Sequence, residues 1–359
     1  MSIDKPVSEV ELENLSIKEN SMKPLLLFLF TVLVIPVLSQ SNLGEGEQPQ
    51  ITVDAKEIVR LVYGQAGKIY FSTSTDKGKT FSAPRVVAEV NEMHLGMTRG
   101  PQLTTSKDYS IVTAMDKKGD IHSFKITHKS GKWEKIQNVN DAEGSAPEGL
   151  MAVAADEDNN FYAVWLDVRE GRKNNICFAT LNGKSGWSKN RFVYKSPEGS
   201  VCECCKPSVA VKDKNVSIMF RNWLDGSRDL YITSSSNGGQ SFSEAQKLGV
   251  GTWPLKGCPM DGGGVSIDSE NAIHTAWQRA GIVYYAQPGK PEERLGDGRS
   301  VGLNGQLVTW EKESTLMLLR INGDQQQIGE GTALKVLEFR DGSILGVWEK
   351  DNTIVFRNL

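Results

Sequence analysis

Few stretches of the chain show the 3.6-residue apolar period of an amphipathic helix, which argues against a helical architecture. Charge of one sign is also missing. The 359 residues carry 41 Lys and Arg against 44 Asp and Glu, interspersed, for a net charge of −3. Nothing in that balance suits a polyanion, and nucleic acid is not an expected partner. Long apolar runs are absent too. The longest, Leu25 to Leu38, falls short of the ~20 residues that a membrane span needs. No cysteine follows it closely, so a lipid-anchored cysteine is not supported.

What the chain does have is 35 glycines, 8 tryptophans and many short apolar runs, the composition of a β protein with many turns. Its start reads as processing sequence. Met22-Lys23-Pro24 gives a basic opening, Leu25 to Leu38 the apolar stretch, and Ser39-Gln40 the small polar end of a secretory signal peptide. The expected organisation is a leader over 1–21, a signal over 22–40, and one domain over 41–359. The alternative is an N-terminal anchor with a cytoplasmic tail. Export implies a periplasmic or extracellular setting, where disulfides form.

Beyond the signal the sequence repeats. Each unit has an inner apolar run, a second run ending in an aromatic or similar residue, a third run, and a weaker fourth. The second-run residues are Tyr63, Ala114, Trp165, Phe220, Trp277, Trp310 and Trp348. Four short strands recurring every ~40 to 50 residues describe a β-propeller blade. Seven units are counted, giving an all-β propeller of four-stranded antiparallel blades. The last two units are short, so six blades remain possible. The final unit, Ala333 to Leu359, has room for three strands, and Ser41 to Gln50 is expected to supply the fourth. Such an exchange closes the ring and removes exposed sheet edges.

Two units carry a sharper signature between their third and fourth runs. The first is Ser74-Thr75-Asp76-Lys77-Gly78-Lys79-Thr80-Phe81; the second is Ser235-Ser236-Asn237-Gly238-Gly239-Gln240-Ser241-Phe242. Asp or Asn can bond nearby backbone, Gly can take positive φ, and the aromatic can pack underneath. Weaker echoes occur at Ser130-Gly131-Lys132-Trp133 and Ser185-Gly186-Trp187. The segments resemble the Asp box, or BNR repeat, of the sialidase-like propellers. Ser74, Asp76, Gly78 and Phe81, with Ser235, Asn237, Gly239 and Phe242, match that motif, whose role is structural.

The resemblance to sialidases implies three arginines for a substrate carboxylate, a Tyr–Glu nucleophile pair and an Asp acid/base. The pattern is not met here. No Arg-Ile-Pro string precedes the first box; the nearest, Arg99-Gly100-Pro101, lies beyond it. Arg169, Arg221 and Arg279 follow second runs in units three to five and, with Arg99, are the candidate catalytic cations. Guanidinium groups suit carboxylates, but each of these is as well explained as a strand end bonded to loop carbonyls.

The remaining signal is cysteine. Val201-Cys202-Glu203-Cys204-Cys205-Lys206-Pro207 precedes one inner run, and Gly257-Cys258-Pro259-Met260-Asp261 precedes the next. In a propeller these loops open on one face, around the channel. Cys202, Cys204 and Cys205 are therefore expected near Cys258, with His94, Met97 and Met260 as further soft donors. Arg99, Glu148 and Asp261 are candidate ligand-binding residues on the same face. Disulfide bonding is one reading, with three possible pairings. A soft metal, copper or zinc, is another, although Cys-x-Cys-Cys is not a standard zinc spacing. Free or redox-active thiols are the third. Cys177, inside a third run, is expected to be a buried free thiol. The cysteine strings, with Phe220-Arg221-Asn222 and Ser227 to Tyr231 between them, are similar to those of exported bacterial sialidase-like propellers.

The functional expectation is an exported binding or scaffold propeller with a cysteine-rich site on its channel face. Its partner would be a small ligand, a glycan or a protein. The alternative is a glycoside hydrolase of the exo-α-sialidase type.

Overall fold

The computed structural model describes residues 40–171 and 173–359; the leader and all of the expected signal but Gln40 lie outside them. The described residues form seven four-stranded antiparallel sheets and no helix, a seven-bladed β-propeller. Blade 1 holds β2–β5 (Glu47–Glu89), blade 2 β6–β9 (Gln102–Ile136), and blade 3 β10–β13 (Met151–Tyr194). Blade 4 holds β14–β17 (Ser208–Lys247), blade 5 β18–β21 (Gly264–Asp297), and blade 6 β22–β25 (Arg299–Glu330). Blade 7 is β26–β28 (Thr332–Asn358) completed by β1 (Ser41–Glu45).

The second strand of each blade is the most apolar because both its faces are covered. In β15, Asn215–Leu224, seven consecutive residues from Val216 to Asn222 are buried. The fourth strands, such as β5 with Arg-Val-Val-Ala-Glu, lie at the rim and are half exposed.

The core is seven clusters, one in each cleft between neighbouring blades. Each second-strand residue singled out in the sequence packs into the cleft against the preceding blade. Trp165 lies with Ile111 and Ile121 of blade 2, Trp277 with Met219 and Ile232 of blade 4, and Trp348 with Leu316 and Leu318 of blade 6. Tyr63 reaches across the ring closure to Leu345 and Val347 of blade 7. The indole N–H groups find partners as they are buried: Trp310 donates to the Asp297 carbonyl at 3.1 Å and Trp348 to that of Glu330 at 3.2 Å.

The two S-x-D/N-x-G segments are superimposable networks. Ser74 Oγ donates to Asp76 Oδ1 at 2.7 Å and accepts from the Gly78 amide at 2.8 Å; Asp76 accepts from the Thr80 amide at 2.9 Å. Ser235, Asn237, Gly239 and Ser241 repeat these bonds at 2.8, 2.9 and 3.0 Å. Gly78 and Gly239 both sit at φ 78°, and a Cβ on either would strike Leu345 or Phe178 of the preceding blade. The aromatic after each turn anchors on the third strand of the preceding blade. Phe81 meets Phe356 edge-on at 4.8 Å, and Phe242 meets Phe178 at 5.2 Å. Trp133 meets Phe71 at 5.2 Å, and Trp187 donates its N–H to Ser123 at 3.0 Å.

Ring closure differs in detail from expectation. Ser41 to Gln50 is not one strand. Ser41–Glu45 pairs antiparallel with β28, Thr353–Asn358, as the outer strand of blade 7. The chain then pivots at Gly46 and Glu47–Val53 becomes the inner strand of blade 1. Glu47 to Gln50 therefore belongs to blade 1, its regular strand pattern hidden by a bulge between Glu47 and Gln50, with Gln48 at φ 55°. Blades 6 and 7 are complete sheets, which settles the count at seven.

Candidate functional site

The inner strands surround a channel whose cavity is about 630 Å³. Its wall carries charge. Lys206, Lys335, Asp261, Glu311 and Arg299 all line it, with Gln48, Gln50 and Gln102 between them. Lys206 Nζ donates to Gln102 Oε1 across the ring at 2.5 Å. Burial, with Lys335 nearby, holds the Lys206 ammonium down at about 7. Burial also lowers Lys335, against the attraction of Glu311. The two carboxyls go the other way. Burial raises both Asp261 and Glu311 above the ordinary carboxylate range. They share Ser300, whose amide donates to Asp261 Oδ2 at 2.8 Å while its hydroxyl donates to Glu311 Oε2 at 3.0 Å.

The cysteine loops meet at this channel. Cys204 of the loop before β14 (Ser208–Lys212) is disulfide-bonded to Cys258 of the loop before β18 (Gly264–Ile267), with Cα atoms 6.2 Å apart. Cys258, Pro259, Met260 and Asp261 form part of the channel wall. The disulfide thus ties the entry to blade 4 to the channel-lining loop of blade 5.

Cys202 and Cys205 are free and buried. The sulfurs of Cys202 and Cys205 lie 3.2 Å apart in hydrogen-bond contact, and Arg228 Nη1 donates to the Cys202 sulfur at 3.0 Å. The Cys205 thiol, helped by Arg228 and the Cys204 amide, pulls Cys202 down to about 7 despite burial. Burial pushes the Cys205 thiol well above its ordinary range. The Cys202 sulfur also lies 3.7 Å from that of Cys204. The Arg228 guanidinium is fixed over the Trp223 ring at 4.7 Å and pairs with Glu203 at 3.4 Å. Cys177 is a buried free thiol in the cleft between blades 2 and 3.

Among the described residues the sulfurs of Cys202, Cys204 and Cys205 form the one cluster of metal-ligand type, with no His or carboxylate in it. The disulfide takes Cys204 and Cys258, and leaves two thiols. Two sulfurs are too few for a tetrahedral zinc site built from cysteine alone.

The other sequence candidates are placed as follows. His94 Nε2 lies 3.1 Å from the Pro147 carbonyl, and its ring packs beside Gly149. Met97 and Met260 line the channel and are 60% and 40% exposed. Arg99 donates to the Glu148 carbonyl at 2.6 Å. Arg169 grips Asp167 through Nε and Nη2 at 2.8 Å each and Asp141 at 2.6 Å. Arg279 is paired with Glu292 and lies over the Tyr284 ring at 4.3 Å. Arg221 is fully buried and donates to three backbone carbonyls. The four guanidinium groups are each engaged in separate local networks. Lys206, Lys335, Glu311 and Arg228 were not singled out in the sequence. Lys206 follows the cysteine triplet directly, a signal that was available. Lys335 and Glu311 lie inside apolar strand patterns, where nothing marked them.

No family model matches the chain, and no curated protein matches it. Solved structures do. An alpha-L-arabinanase of Penicillium chrysogenum aligns over 90% of this chain and 98% of its own at 12% identity, with a TM-score of 0.52. A Hadza microbial sialidase aligns over 89% of this chain and 68% of its own at 10% identity, TM-score 0.52. A virginiamycin B lyase of Staphylococcus aureus aligns over 89% and 98% at 13% identity, TM-score 0.53. The shared fold is the β-propeller. At these identities the likeness concerns architecture, and the chemistry rests on this chain's own residues.

Proposed function

We propose that this chain is an exported binding propeller whose site is the mouth of the central channel, braced by the Cys204–Cys258 disulfide. One observation carries the reading: the segment from Cys258 to Asp261 is both the far end of the disulfide and part of the channel wall. Ligand sites gather where loops converge on a rigid scaffold, and this loop is held to the neighbouring blade. The charged wall favours a small polar or charged ligand, of which a saccharide is one class. A disulfide, and no helix among the described residues long enough to cross a membrane, are compatible with export.

Thermal-shift measurements with neutral, acidic and amino sugars test this. A ligand that raises the melting temperature of the wild type, and not of Lys206→Met, supports the channel as the site. Equal shifts in both proteins place binding elsewhere.

A second reading, hydrolysis of glycosides, is favoured by the pair Asp261 and Glu311. A glycosidase needs two carboxyl groups in distinct protonation states flanking the bond, and raised carboxyls suit the acid role. Release of chromophore from aryl glycosides, lost in Glu311→Gln with the fold retained, would establish it. No turnover on pyranosides, furanosides or sialosides would leave binding as the function.

A further inference from the structure

Cys202 and Cys205 form a Cys-x-x-Cys pair inside the Cys-x-Cys-Cys string. The spacing puts both thiols on one tight turn, sulfurs 3.2 Å apart. The Arg228 guanidinium and the Cys204 amide donate to the Cys202 sulfur, and the Cys205 thiol is placed to donate to it once it ionises. That is a cradle for a thiolate, with its partner thiol kept protonated beside it. The disulfide sulfur of Cys204 lies 3.7 Å from the same atom, about the contact distance of two sulfurs. A nucleophile, a resolving thiol and a target disulfide therefore share one small volume.

We propose that the four sulfurs form an internal thiol–disulfide relay that locks and unlocks the channel-lining loop of blade 5. In the first step the Cys202 thiolate attacks Cys204 Sγ. The Cys202–Cys204 bond forms, the Cys204–Cys258 bond breaks, and Cys258 leaves as thiolate. In the second step Cys205, giving its proton to the released Cys258, attacks Cys202 Sγ. The Cys202–Cys205 bond forms, and Cys204 leaves as thiolate. Two thiols and one disulfide become one disulfide and two thiols, so no outside oxidant or reductant is required. Burial of Cys202 and Cys205 does not hinder the exchange, because the Cys202 sulfur already touches those of Cys204 and Cys205. Cys204 is half-buried and Cys258 exposed, so the disulfide is the point at which an external thiol or disulfide would enter. When the bond to Cys258 is open, the segment Cys258 to Asp261 loses its covalent tie to blade 4. Arg221, holding the Asp261 carbonyl at 3.0 Å, then remains as a polar link between them. The inference concerns the state of the loop and stands whether the channel binds or hydrolyses its ligand.

The test starts from fully reduced wild-type protein, shown by near-ultraviolet circular dichroism to be folded. One equivalent of a low-molecular-weight disulfide is added. Samples are acid-quenched over time, alkylated in denaturant and digested between the two clusters. A bond from Cys204 to Cys258 joins the two peptides, whereas Cys202–Cys204 or Cys202–Cys205 leaves them separate. The expected result is early separate peptides bearing one internal disulfide, converting to joined peptides at constant thiol count. In Cys202→Ser the joined form appears without that intermediate and about tenfold more slowly. Joined peptides forming directly in wild type, on the same time course as in Cys202→Ser, would overturn the relay. The wild-type time course decides the matter even if Cys202→Ser does not fold.

Discussion

Arg221 Nε donates to the Asp261 carbonyl at 3.0 Å, and both residues are buried. The same guanidinium reaches the Arg228 carbonyl at 2.8 Å and the Gln278 carbonyl at 2.9 Å, with the Trp253 ring 5.4 Å from its centre. One side chain from β15 thus satisfies the hairpin of its own blade, the channel loop, and β19 (Ile273–Arg279) of the next blade. An ammonium cannot span three diverging carbonyls. Arg221→Lys is expected to destabilise the protein by about 1–3 kcal/mol, the cost of leaving a buried acceptor unpaired. Urea denaturation measures this, and a variant as stable as wild type would remove the bracing role assigned to Arg221.

The disulfide closes a long loop, with 54 residues of sequence separation. Cys258→Ser should lose about 2–4 kcal/mol, and its melting should become indifferent to added reductant. Wild type in reductant should fall towards the variant. If reductant leaves wild-type melting unchanged while thiol counting shows the bond open, the staple is not what holds these blades.

Arg228→Ala removes a cation from the Cys202 sulfur. Thiolate absorbance near 240 nm should then titrate at higher pH than the wild-type midpoint of about 7, with Arg228→Lys in between. A lowered folded pKa contributes stability that is present above the ordinary thiol range and lost as pH falls through about 7. The alanine variant should show a weaker dependence in that window. An unmoved midpoint would assign the shift to Cys205, the Cys204 amide and Arg221, without Arg228.

Lys206 gives a test of the same sign from a different cause. Its folded pKa of about 7 lies below the free-lysine value of 10.5, so the unfolded chain binds the extra proton between the two. Stability from this group therefore rises as pH increases from about 7 towards 10.5. Lys206→Met should flatten that rise in urea midpoints taken across the window. Parallel curves for the two proteins would mean the ammonium is not held in a desolvated place.

Gly46 is the pivot of ring closure, and a Cβ there would come within 2.2 Å of the Tyr63 ring. That ring is stacked on Tyr70 at 5.3 Å and buried, so it cannot yield. Gly46→Ala should cost about 1–3 kcal/mol as overpacking does. Hydrogen exchange should quicken first in Ser41–Glu45 and Thr353–Asn358. Exchange that quickens uniformly over all blades would show that closure is not the weak point.

Much of the fold was readable because packing imposes a repeat. A cleft between blades needs one large side chain per second strand, and Trp165, Trp277, Trp310 and Trp348 mark it plainly. Ala114 broke the pattern because Phe71, Phe124 and Trp133 fill that cleft instead. The turns at Ser74 and Ser235 were legible because their bonds are local in sequence. The site was less so. The Cys204–Cys258 approach followed from equivalent positions in successive repeats, but the choice among three pairings did not. The channel charges come from strands far apart in the chain. Lys206 and Gln102 meet only because seven inner strands share one axis. Nothing in either local segment encodes that meeting.

The strand that seals the ring is made first, and its partner is made last. During synthesis, β1 therefore has nothing to pair with until β28 exists, and each completed blade waits in an open stack. Closure joins β1 to β28, the longest-range strand pairing among the described residues and the slowest kind to form. Until then two unpaired edges are exposed, one at each end, and they are complementary to each other. A crowded population of unclosed chains can satisfy them between molecules as readily as within one. Fidelity of folding thus depends on concentration and on the time a chain spends unclosed, quantities set outside the sequence.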